Sequence, residues 1–364
     1  MDKSDSYLIT GSTGQLGPMV LRSLIEKWVE PTSAHLLVRN AEKAKQVLES
    51  HKIPQLPLIV GDITETTESL LQKIPQQINH VVHMAGSVKF GEKFRGEVEK
   101  INKYWAINMA HVALMRNGLL THISTAYILG EVDSELPQDF INETTKRVPK
   151  NPYEEAKWDA EVAITNLFEG RKDSLQILRP SILTDSIARP DLWWELHAAM
   201  WYYAPFIMLR RELNKRWETG WVDLSWFKFV GHYANEINII DNTLAGEEIA
   251  GLIISHAWRA RNIVNAAAPT YGDLTGYVLE NLRFTNYIVE EQPYVQQWTE
   301  TSPKKITDIE KWNGLLGLTR KLYIKNSVPN YRPYATHVSH FSGGILMDNE
   351  ALAGHAVRSL INES

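Results

Sequence analysis

The sequence predicts an α/β protein with a doubly wound parallel sheet, followed by a smaller and mostly helical region. Short apolar runs alternate with amphipathic stretches from residue 7 to about residue 180, and the first run leads directly into a glycine-rich loop. This alternation is typical of parallel sheets, because each parallel crossover needs a connecting helix. After Pro180 the pattern changes. We therefore expect a first domain at residues 1–180 and a substrate-binding region at residues 181–364.

Six short strands and two helices are expected in the first domain. The strands are expected at 7–9, 35–38, 57–60, 81–84, 120–124 and 175–178, and the helices at 19–30 and 41–51. Later segments at 237–241 and 262–265 are expected to return to the same sheet, with a helix at 245–258 between them. A last helix is expected at 349–362.

Composition excludes several classes of protein. The 364 residues carry a net charge of −5 and no long basic run, which gives no reason to expect a nucleic-acid partner. The absence of cysteine excludes disulfides, thiolate nucleophiles and cysteine metal sites. The N-terminus lacks the apolar core of a signal peptide, and no uncharged apolar run reaches the roughly 18 residues that span a bilayer. A cytoplasmic protein without a transmembrane segment is expected.

Residues 193–226 are unusually aromatic, because they hold six of the twelve tryptophans. Large aromatic side chains could fill the core of a small second domain. They could equally form a wall or lid over an apolar substrate. The sequence leaves both interpretations open.

The first strand is followed by the loop Thr10-Gly11-Ser12-Thr13-Gly14-Gln15-Leu16-Gly17. Glycines at this spacing allow a tight turn, close approach of the backbone to a pyrophosphate, and close packing of the next helix. That helix directs its N-terminal N–H groups and the positive end of its dipole towards the phosphates. The loop predicts a Rossmann dinucleotide site. Its cofactor-binding residues are expected to be Gly11, Ser12, Thr13, Gly14, Gln15, Leu16 and Gly17.

Arg39 follows the second strand, 22 residues after Gly17. NAD-binding sites place an acidic residue at about this point to bind the ribose 2′-hydroxyl. A guanidinium would instead pair with a 2′-phosphate through charge-assisted hydrogen bonds. The sequence therefore predicts NADP(H) as cofactor.

Tyr153 and Lys157 are four residues apart, so they share one face of a helix. A nearby ammonium group, together with an oxidised nicotinamide, should lower the tyrosine pKa and make the phenol a usable proton donor or acceptor. Ser124, at the end of the fifth strand, could hydrogen-bond the substrate oxygen. We expect Ser124, Tyr153 and Lys157 to be the catalytic residues.

These motifs resemble the extended short-chain dehydrogenases/reductases. The resemblance rests on the glycine loop, Gly61-Asp62, His83-Met84-Ala85-Gly86, the Ser124–Tyr153–Lys157 set and Leu178-Arg179-Pro180-Ser181, and Asn102 falls where that family has an asparagine. It implies that Gly61-Asp62 lies near the adenine and that residues 178–181 lie against the nicotinamide. Further cofactor-binding residues implied in this way are Asp62, Ile63, Ala85, Gly86, Lys157, Pro180 and Ser181.

Within that superfamily, the sequence segments at 37–39, 81–90 and 124–127 resemble those of the thioester reductase and fatty acyl-CoA reductase branch. The resemblance implies reduction of an acyl thioester, carried on coenzyme A or an acyl-carrier protein, to an aldehyde or alcohol with NADPH. The alternatives are the same chemistry on a ketone, a hydroxyl or a nucleotide sugar, and a cofactor-binding protein without catalysis. A sugar epimerase would typically retain tightly bound NAD, and Arg39 makes this alternative less favoured because it indicates NADP.

Other polar residues have plainer interpretations. His337 and His340 lack nearby further ligands, so no metal site is expected. Glu154 and Glu155 are expected to face solvent on the catalytic helix. The cations Arg210, Arg211, Lys215 and Arg216 could bind a phosphopantetheine or carrier protein, but a solvated helix face is the simpler interpretation.

Overall fold

The computed structural model describes part of the chain. The described residues are 5–130, 132, 134–184, 207, 210, 211, 213, 214, 220–223, 228–231, 234, 236–255, 259–291 and 339–340. Most of the aromatic stretch at 193–226, the cations Lys215 and Arg216, His337 and the expected helix at 349–362 lie outside them.

The first unit is built on a seven-stranded parallel sheet. Its strands in chain order are β1 (Tyr7–Thr10), β2 (Ala34–Val38), β3 (Leu58–Val60), β4 (His80–His83), β5 (Leu119–Ile123), β6 (Leu175–Pro180) and β7 (Ala260–Ile263). They lie in the order β7-β6-β5-β4-β1-β2-β3. The chain order reverses on either side of β1, and open α/β sheets bind ligands beyond the carboxyl ends of the strands at such a point. The predicted doubly wound parallel fold is confirmed.

Eight α-helices have both ends within the described part of the chain. They are α1 (Gly17–Lys27), α2 (Ala41–Ser50), α3 (Thr67–Lys73), α4 (Arg95–Glu99), α5 (Trp105–Met115), α6 (Pro152–Leu167), α7 (Asn242–Ser255) and α8 (Tyr271–Asn281). A π-helical turn, Lys100–Tyr104, joins α4 to α5. Short 3-10 turns lie at Pro31–Ser33, Glu92–Phe94, Ala126–Leu129 and Lys172–Ser174. Asn40 and Asn151 cap α2 and α6 by accepting N–H groups of the first turn.

One hydrophobic core of this unit lies between the sheet and helices α5 and α6. Alternate residues of neighbouring strands, such as Leu8, Val81 and Leu120, face Met109 of α5 and Ile164 of α6. All of them are fully buried. Because successive side chains of a strand point to opposite faces, this pattern fixes which strand residues face α6.

The expected return of residues 237–241 to the Rossmann sheet is wrong. Ile239–Asp241 pairs in parallel with Ile182–Thr184 in a separate two-stranded ladder. Residues 237–241 cannot pair with the outer edge of β6, because β7 pairs with that edge from Ala260 to Ile263. The strand expected at 262–265 is this edge strand.

The chain divides into two compact units. The first contains Met1–Ser181, Asn242–Val264 and Ser339–Ile345, and the second contains Ile182–Asp241, Asn265–Val338 and Leu346–Ser364. In the second unit, Val222–Asp223 pairs with Phe284–Thr285, and Lys228–Gly231 pairs with Ile288–Glu291.

Candidate functional site

The glycine loop forms a close-packed cradle at the carboxyl end of β1. Gly11 has a φ of +76°, and a Cβ atom there would lie 2.5 Å from the Ala85 nitrogen. A Cβ atom on Gly17 would lie 2.4 Å from the Gly11 carbonyl oxygen. Both contacts are with backbone, which cannot move aside as a side chain can. The loop therefore requires glycine at these two positions.

The start of α1 fits an anionic ligand. The helix begins at Gly17 with Pro18 in its first turn, and this turn contains no acidic residue and no side-chain cap. Its N-terminal N–H groups are the usual donors to a dinucleotide pyrophosphate. The hydroxyl of Ser12 is buried and has no partner among the described residues. The cradle, the uncapped helix and this hydroxyl fit a dinucleotide cofactor.

The other expected adenosine-side residues lie where β2 and β3 end. Arg39 directly follows β2 and is exposed to solvent. After β3, the Asp62 carboxylate accepts a hydrogen bond from the Thr64 N–H at 2.9 Å. Ile63 packs against the core, and its carbonyl oxygen accepts a hydrogen bond from the Asn108 amide at 3.3 Å. The fold thus brings Arg39, Asp62 and Ile63 to the same sheet edge as the glycine loop.

Tyr153 and Lys157 are both buried on α6. The Lys157 ammonium donates to the Ile123 carbonyl oxygen at 2.8 Å, at the carboxyl end of β5. A Cβ atom on Gly86 would lie 3.5 Å from Lys157 Nζ. Lys157 therefore lies between β5 and the segment that follows β4.

The tyrosine pKa differs from the expected direction. Burial raises the pKa of Tyr153 to about 12, while a hydrogen bond with Thr125 lowers it. Burial also lowers the pKa of Lys157 to about 8. In this structure, desolvation of the phenolate outweighs the favourable contact with Thr125. The expected lowering depends on Lys157 together with an oxidised nicotinamide, and it stays a prediction. At neutral pH the phenol is protonated and can donate a proton.

Thr125 is a candidate site residue that was not expected from the sequence. Its hydroxyl accepts a hydrogen bond from the Tyr127 N–H at 3.3 Å and is hydrogen-bonded to Tyr153. The hydroxyl of Ser124 is buried without a partner among the described residues. The Ser-Thr pair directly after β5 indicated a hydroxyl near Tyr153, but the spacing in the sequence could not decide between Ser124 and Thr125.

Asn102 lies in the π-helical turn and is fully buried. Its side-chain oxygen accepts from the Ser87 N–H at 2.8 Å, and its amide donates to the Ser87 carbonyl oxygen at 2.8 Å. The two bonds hold the segment after β4 in place. Further along this segment, the Phe90 ring meets the Tyr153 ring edge-on, with centroids 5.4 Å apart. Asn102 therefore acts on the site through the backbone of this segment.

A row of buried polar side chains crosses the sheet below Lys157. The Thr10 hydroxyl lies 2.7 Å from His83 Nδ1, and the His83 ring stacks on His122 with centroids 5.6 Å apart. Burial, and secondarily the charge of Lys157, lowers the pKa of His83 to about 3 and that of His122 well below its usual value. Both imidazoles are therefore neutral at neutral pH.

The neutral histidines should make the protein sensitive to acid. Since an unfolded histidine titrates near 6.5, unfolding takes up protons below that pH, and stability should fall between pH 6.5 and about 3. Each histidine contributes a slope of at most about 1.4 kcal/mol per pH unit. Urea unfolding at pH 7.5 and 5.5 should show a smaller difference for His122→Asn than for the surface control His111→Gln. Equal differences in the two variants would contradict this account.

The end of β6 carries the last expected cofactor residues. Pro180 pairs with Ile263 in the sheet, and the Ser181 N–H donates to the Ile263 carbonyl oxygen at 2.9 Å. The Ser181 hydroxyl is buried and has no partner among the described residues. Ser181 is thus a second buried hydroxyl, after Ser124, at the carboxyl edge of neighbouring strands.

Arg179 serves a structural role beside this edge. Its guanidinium forms an ion pair with Glu161 of α6, and both side chains are completely buried. It also donates to the carbonyl oxygens of Pro137 at 2.7 Å and Asp139 at 2.9 Å. This ion pair links strand β6 to helix α6.

Two expectations for charged residues are wrong. Glu154 was expected to face solvent, but it is fully buried and accepts hydrogen bonds from the Lys150 N–H at 2.7 Å and the Asn151 amide at 2.9 Å. Glu155 is partly exposed, as expected, and pairs with Arg95. Arg210 is buried and donates to the carbonyl oxygens of Leu282 at 2.6 Å and Gly220 at 2.8 Å. Because the Arg210 side chain is buried and bonds to backbone carbonyl oxygens, it is not part of a solvated helix face.

The described residues also bear on metals and membranes. His340 lies in a short ladder that pairs Ser339–His340 with Ser134–Glu135. The described ranges contain no group of three histidine or acidic side chains arranged to hold a metal ion. No helix in the same ranges combines the length and the apolar character needed to cross a bilayer.

A parallel sheet with a glycine cradle at its switch point, and a Tyr-x-x-x-Lys helix beside it, defines an extended short-chain dehydrogenase/reductase. Residues 9–220 match the model of the male sterility protein family, so the chain belongs to that family. Over 235 residues the chain is 26% identical to fatty acyl-CoA reductase 1 of Pongo abelii. The matched region covers 52% of this chain and 45% of that relative. The match thus spans less than half of the relative.

Solved structures agree on the fold. The terminal R domain from the myxalamid PKS-NRPS biosynthetic pathway superposes with a TM-score of 0.68 at 14% identity, covering 100% of this chain and 92% of that one. UDP-N-acetylglucosamine 4-epimerase from Methanobrevibacter ruminantium M1 superposes with a TM-score of 0.62 at 14% identity over the full length of both chains. At these identities the likeness concerns architecture alone.

Proposed function

We propose that this chain is an NADPH-dependent reductase of acyl thioesters carried on coenzyme A or an acyl-carrier protein. The observation that carries the proposal is the buried hydroxyl pair of Tyr153 and Thr125, beside Lys157 and the glycine cradle. The choice of substrate is supported by the family and by the name of the relative in Pongo abelii, a fatty acyl-CoA reductase. The product would be an aldehyde, or an alcohol after a second round.

The roles of the residues follow from the chemistry. A bound nicotinamide would supply the hydride that adds to the thioester carbonyl carbon. Thr125 and Tyr153 would hydrogen-bond the carbonyl oxygen, and Tyr153 would transfer its proton to it as the negative charge develops. The Lys157 ammonium would stabilise the resulting phenolate. The raised pKa of Tyr153 keeps its proton in place until that step.

Collapse of the hemithioacetal completes the reaction. The hydroxyl proton returns to the Tyr153 phenolate, the carbonyl double bond reforms, and the carbon–sulfur bond breaks. The thiolate leaves and takes a proton from solvent. Each round therefore consumes one hydride and one proton, and it converts one thioester to one aldehyde and one thiol.

The two hydroxyls at the end of β5 should differ in their effect. Thr125→Val removes the hydroxyl bonded to Tyr153, and we expect kcat to fall about 100-fold, as for loss of one oxyanion donor. Ser124→Ala should cost less than about tenfold. Steady-state kinetics of both variants, with circular dichroism to verify folding, makes the comparison. A larger loss in Ser124→Ala would assign the role to Ser124, as the sequence predicted.

Arg39 supports the choice of NADPH over NADH. It is exposed at the end of β2, where a guanidinium could pair with a 2′-phosphate. Arg39→Ala should weaken NADPH binding about 10- to 100-fold, as expected for a lost charge-assisted hydrogen bond, and leave NADH binding unchanged. Fluorescence titration of both cofactors measures this. Lys45→Ala is the control, since Lys45 lies on α2 and pairs with Glu42. Equal effects on NADPH and NADH would show that Arg39 does not read the phosphate.

The substrate is tested directly. NADPH oxidation is followed with acyl-coenzyme A esters of several chain lengths and with acyl-carrier thioesters, and products are identified by mass spectrometry. Aldehyde or alcohol formed together with free thiol is the expected result. If the protein turns over ketones or nucleotide sugars but no thioester, the proposed substrate is wrong and the alternative substrate class is correct.

A further inference from the structure

Helix α7 packs along α1, although it lies more than 200 residues further along the chain. The contact is closest at the first turn of α1, where a Cβ atom on Gly246 would lie 2.5 Å from Met19 Cβ and 3.0 Å from the Val20 nitrogen. The Thr243 hydroxyl lies 3.7 Å from the Met19 sulfur. At the other end of α1, Lys27 pairs with Glu247 at 3.5 Å. Helix α7 therefore supports the helix that begins at the glycine loop.

Asn242, the first residue of α7, extends this support to the loop itself. Its side chain is buried, and its amide donates to the Gln15 carbonyl oxygen at 2.8 Å. The Gln15–Leu16 peptide is planar and trans, so its carbonyl and N–H point in opposite directions. Fixing the carbonyl of Gln15 therefore also fixes the direction of the Leu16 N–H, which stands at the start of α1.

We propose that Asn242 is a positioning residue for the dinucleotide: it holds the Gln15–Leu16 peptide so that the Leu16 N–H is presented to the pyrophosphate. An uncapped helix start binds an anion best when its N–H donors are already aligned, because no ordering is then needed on binding. Asn242 lies outside the residues 9–220 that match the family model. The proposal concerns only cofactor binding, so it does not depend on the identity of the substrate.

Asn242→Asp tests the proposal with almost no change of shape, since it replaces the donating amide with a carboxylate that would repel the Gln15 carbonyl. We expect the Kd for NADPH, measured by fluorescence titration without substrate, to rise about tenfold, the scale of one lost hydrogen bond. Asn242→Ala should have a similar effect. The matched control is Thr243→Val, which changes the next residue of α7 and leaves the bond to Gln15 intact. In turnover assays, the KM for cofactor should rise while kcat at saturating cofactor stays close to wild type.

Hydrogen exchange gives a test that does not need a variant to fold. In the wild-type protein, adding NADPH should slow exchange of amides at 242–246 together with those at 11–20, because coupling between the two segments is reciprocal. Slowing confined to 11–20 would contradict the proposal. So would an unchanged Kd in folded Asn242→Asp, or an equal increase in Thr243→Val. If the wild-type protein turned over no thioester but the Kd for NADPH shifted as expected in the Asn242 variants, the result would count against the proposed substrate alone.

Discussion

Tyr153→Phe should lower kcat about 100- to 10,000-fold, the range expected for loss of a general acid. The phenylalanine ring keeps the edge-on contact with Phe90, so packing is preserved. The proton donor is lost, and with it one hydrogen bond to the reacting oxygen. Cofactor affinity should change little, because the glycine cradle is untouched. Steady-state kinetics and cofactor titration on the same preparation separate the two effects.

Tyr104→Phe is the matched control for this prediction. Tyr104 is 55% exposed, and its hydroxyl donates to Glu99 at 3.2 Å, on the outer surface of the π-helical turn. The activity of the Tyr104→Phe variant should be close to that of the wild-type protein. If Tyr153→Phe kept more than about a tenth of kcat, Tyr153 would not be the proton donor, and a cofactor-binding protein without this chemistry would become the better interpretation.

Arg179→Met should destabilise the protein by about 3–5 kcal/mol. The substitution leaves Glu161 without its guanidinium partner in a site where both side chains are completely buried. It also leaves the carbonyl oxygens of Pro137 and Asp139 without a donor that they have in the wild-type protein. The free energy of unfolding from urea denaturation measures the loss.

The surface ion pairs of Arg95 provide the comparison for Arg179. Arg95 bonds to Glu92 and Glu155 with nearly half of its side chain exposed. Arg95→Met should therefore cost less than about 1 kcal/mol. The double variant Arg179→Met/Glu161→Leu should recover part of the stability that Arg179→Met loses, because it removes the unpaired charge. A single-variant loss below about 1 kcal/mol would mean that Glu161 finds another partner or a proton.

The sequence was sufficient to predict the parts of the site that depend on local pattern. The strand endings and the glycine spacing placed the loop at Gly11 to Gly17, and the spacing of Tyr153 and Lys157 placed both on one helix. The choice between Ser124 and Thr125 was different. Strand β5 ends at Ile123 and a 3-10 turn starts at Ala126, so the alternation of a strand no longer tells which side chain faces Tyr153.

Burial explains the other differences. The direction of the Tyr153 pKa shift depends on Phe90 and Phe94, which pack against it from a segment about 60 residues earlier. Helical periodicity cannot reveal such a contact. For Glu154 a local signal did exist, because Asn151 and Glu154 stand at the N-cap and N3 positions of α6, three residues apart as in the sequence pattern of a capping box. The Asn151 side-chain amide donates to the Glu154 carboxylate. That pattern would have indicated a glutamate turned back towards the start of the helix.

The packing of α7 on α1 also has a consequence for synthesis on the ribosome. The bond between Gln15 and Asn242 joins residues 227 positions apart. At translation rates of about 5–20 residues per second, the first turn of α1 waits roughly 10–45 seconds for its partner helix to be made. During this interval the apolar surface around Met19 and Val20 lacks its native cover. The nascent chain therefore cannot complete the cofactor site early, and it offers chaperones a defined segment to protect until residue 255 has been synthesised.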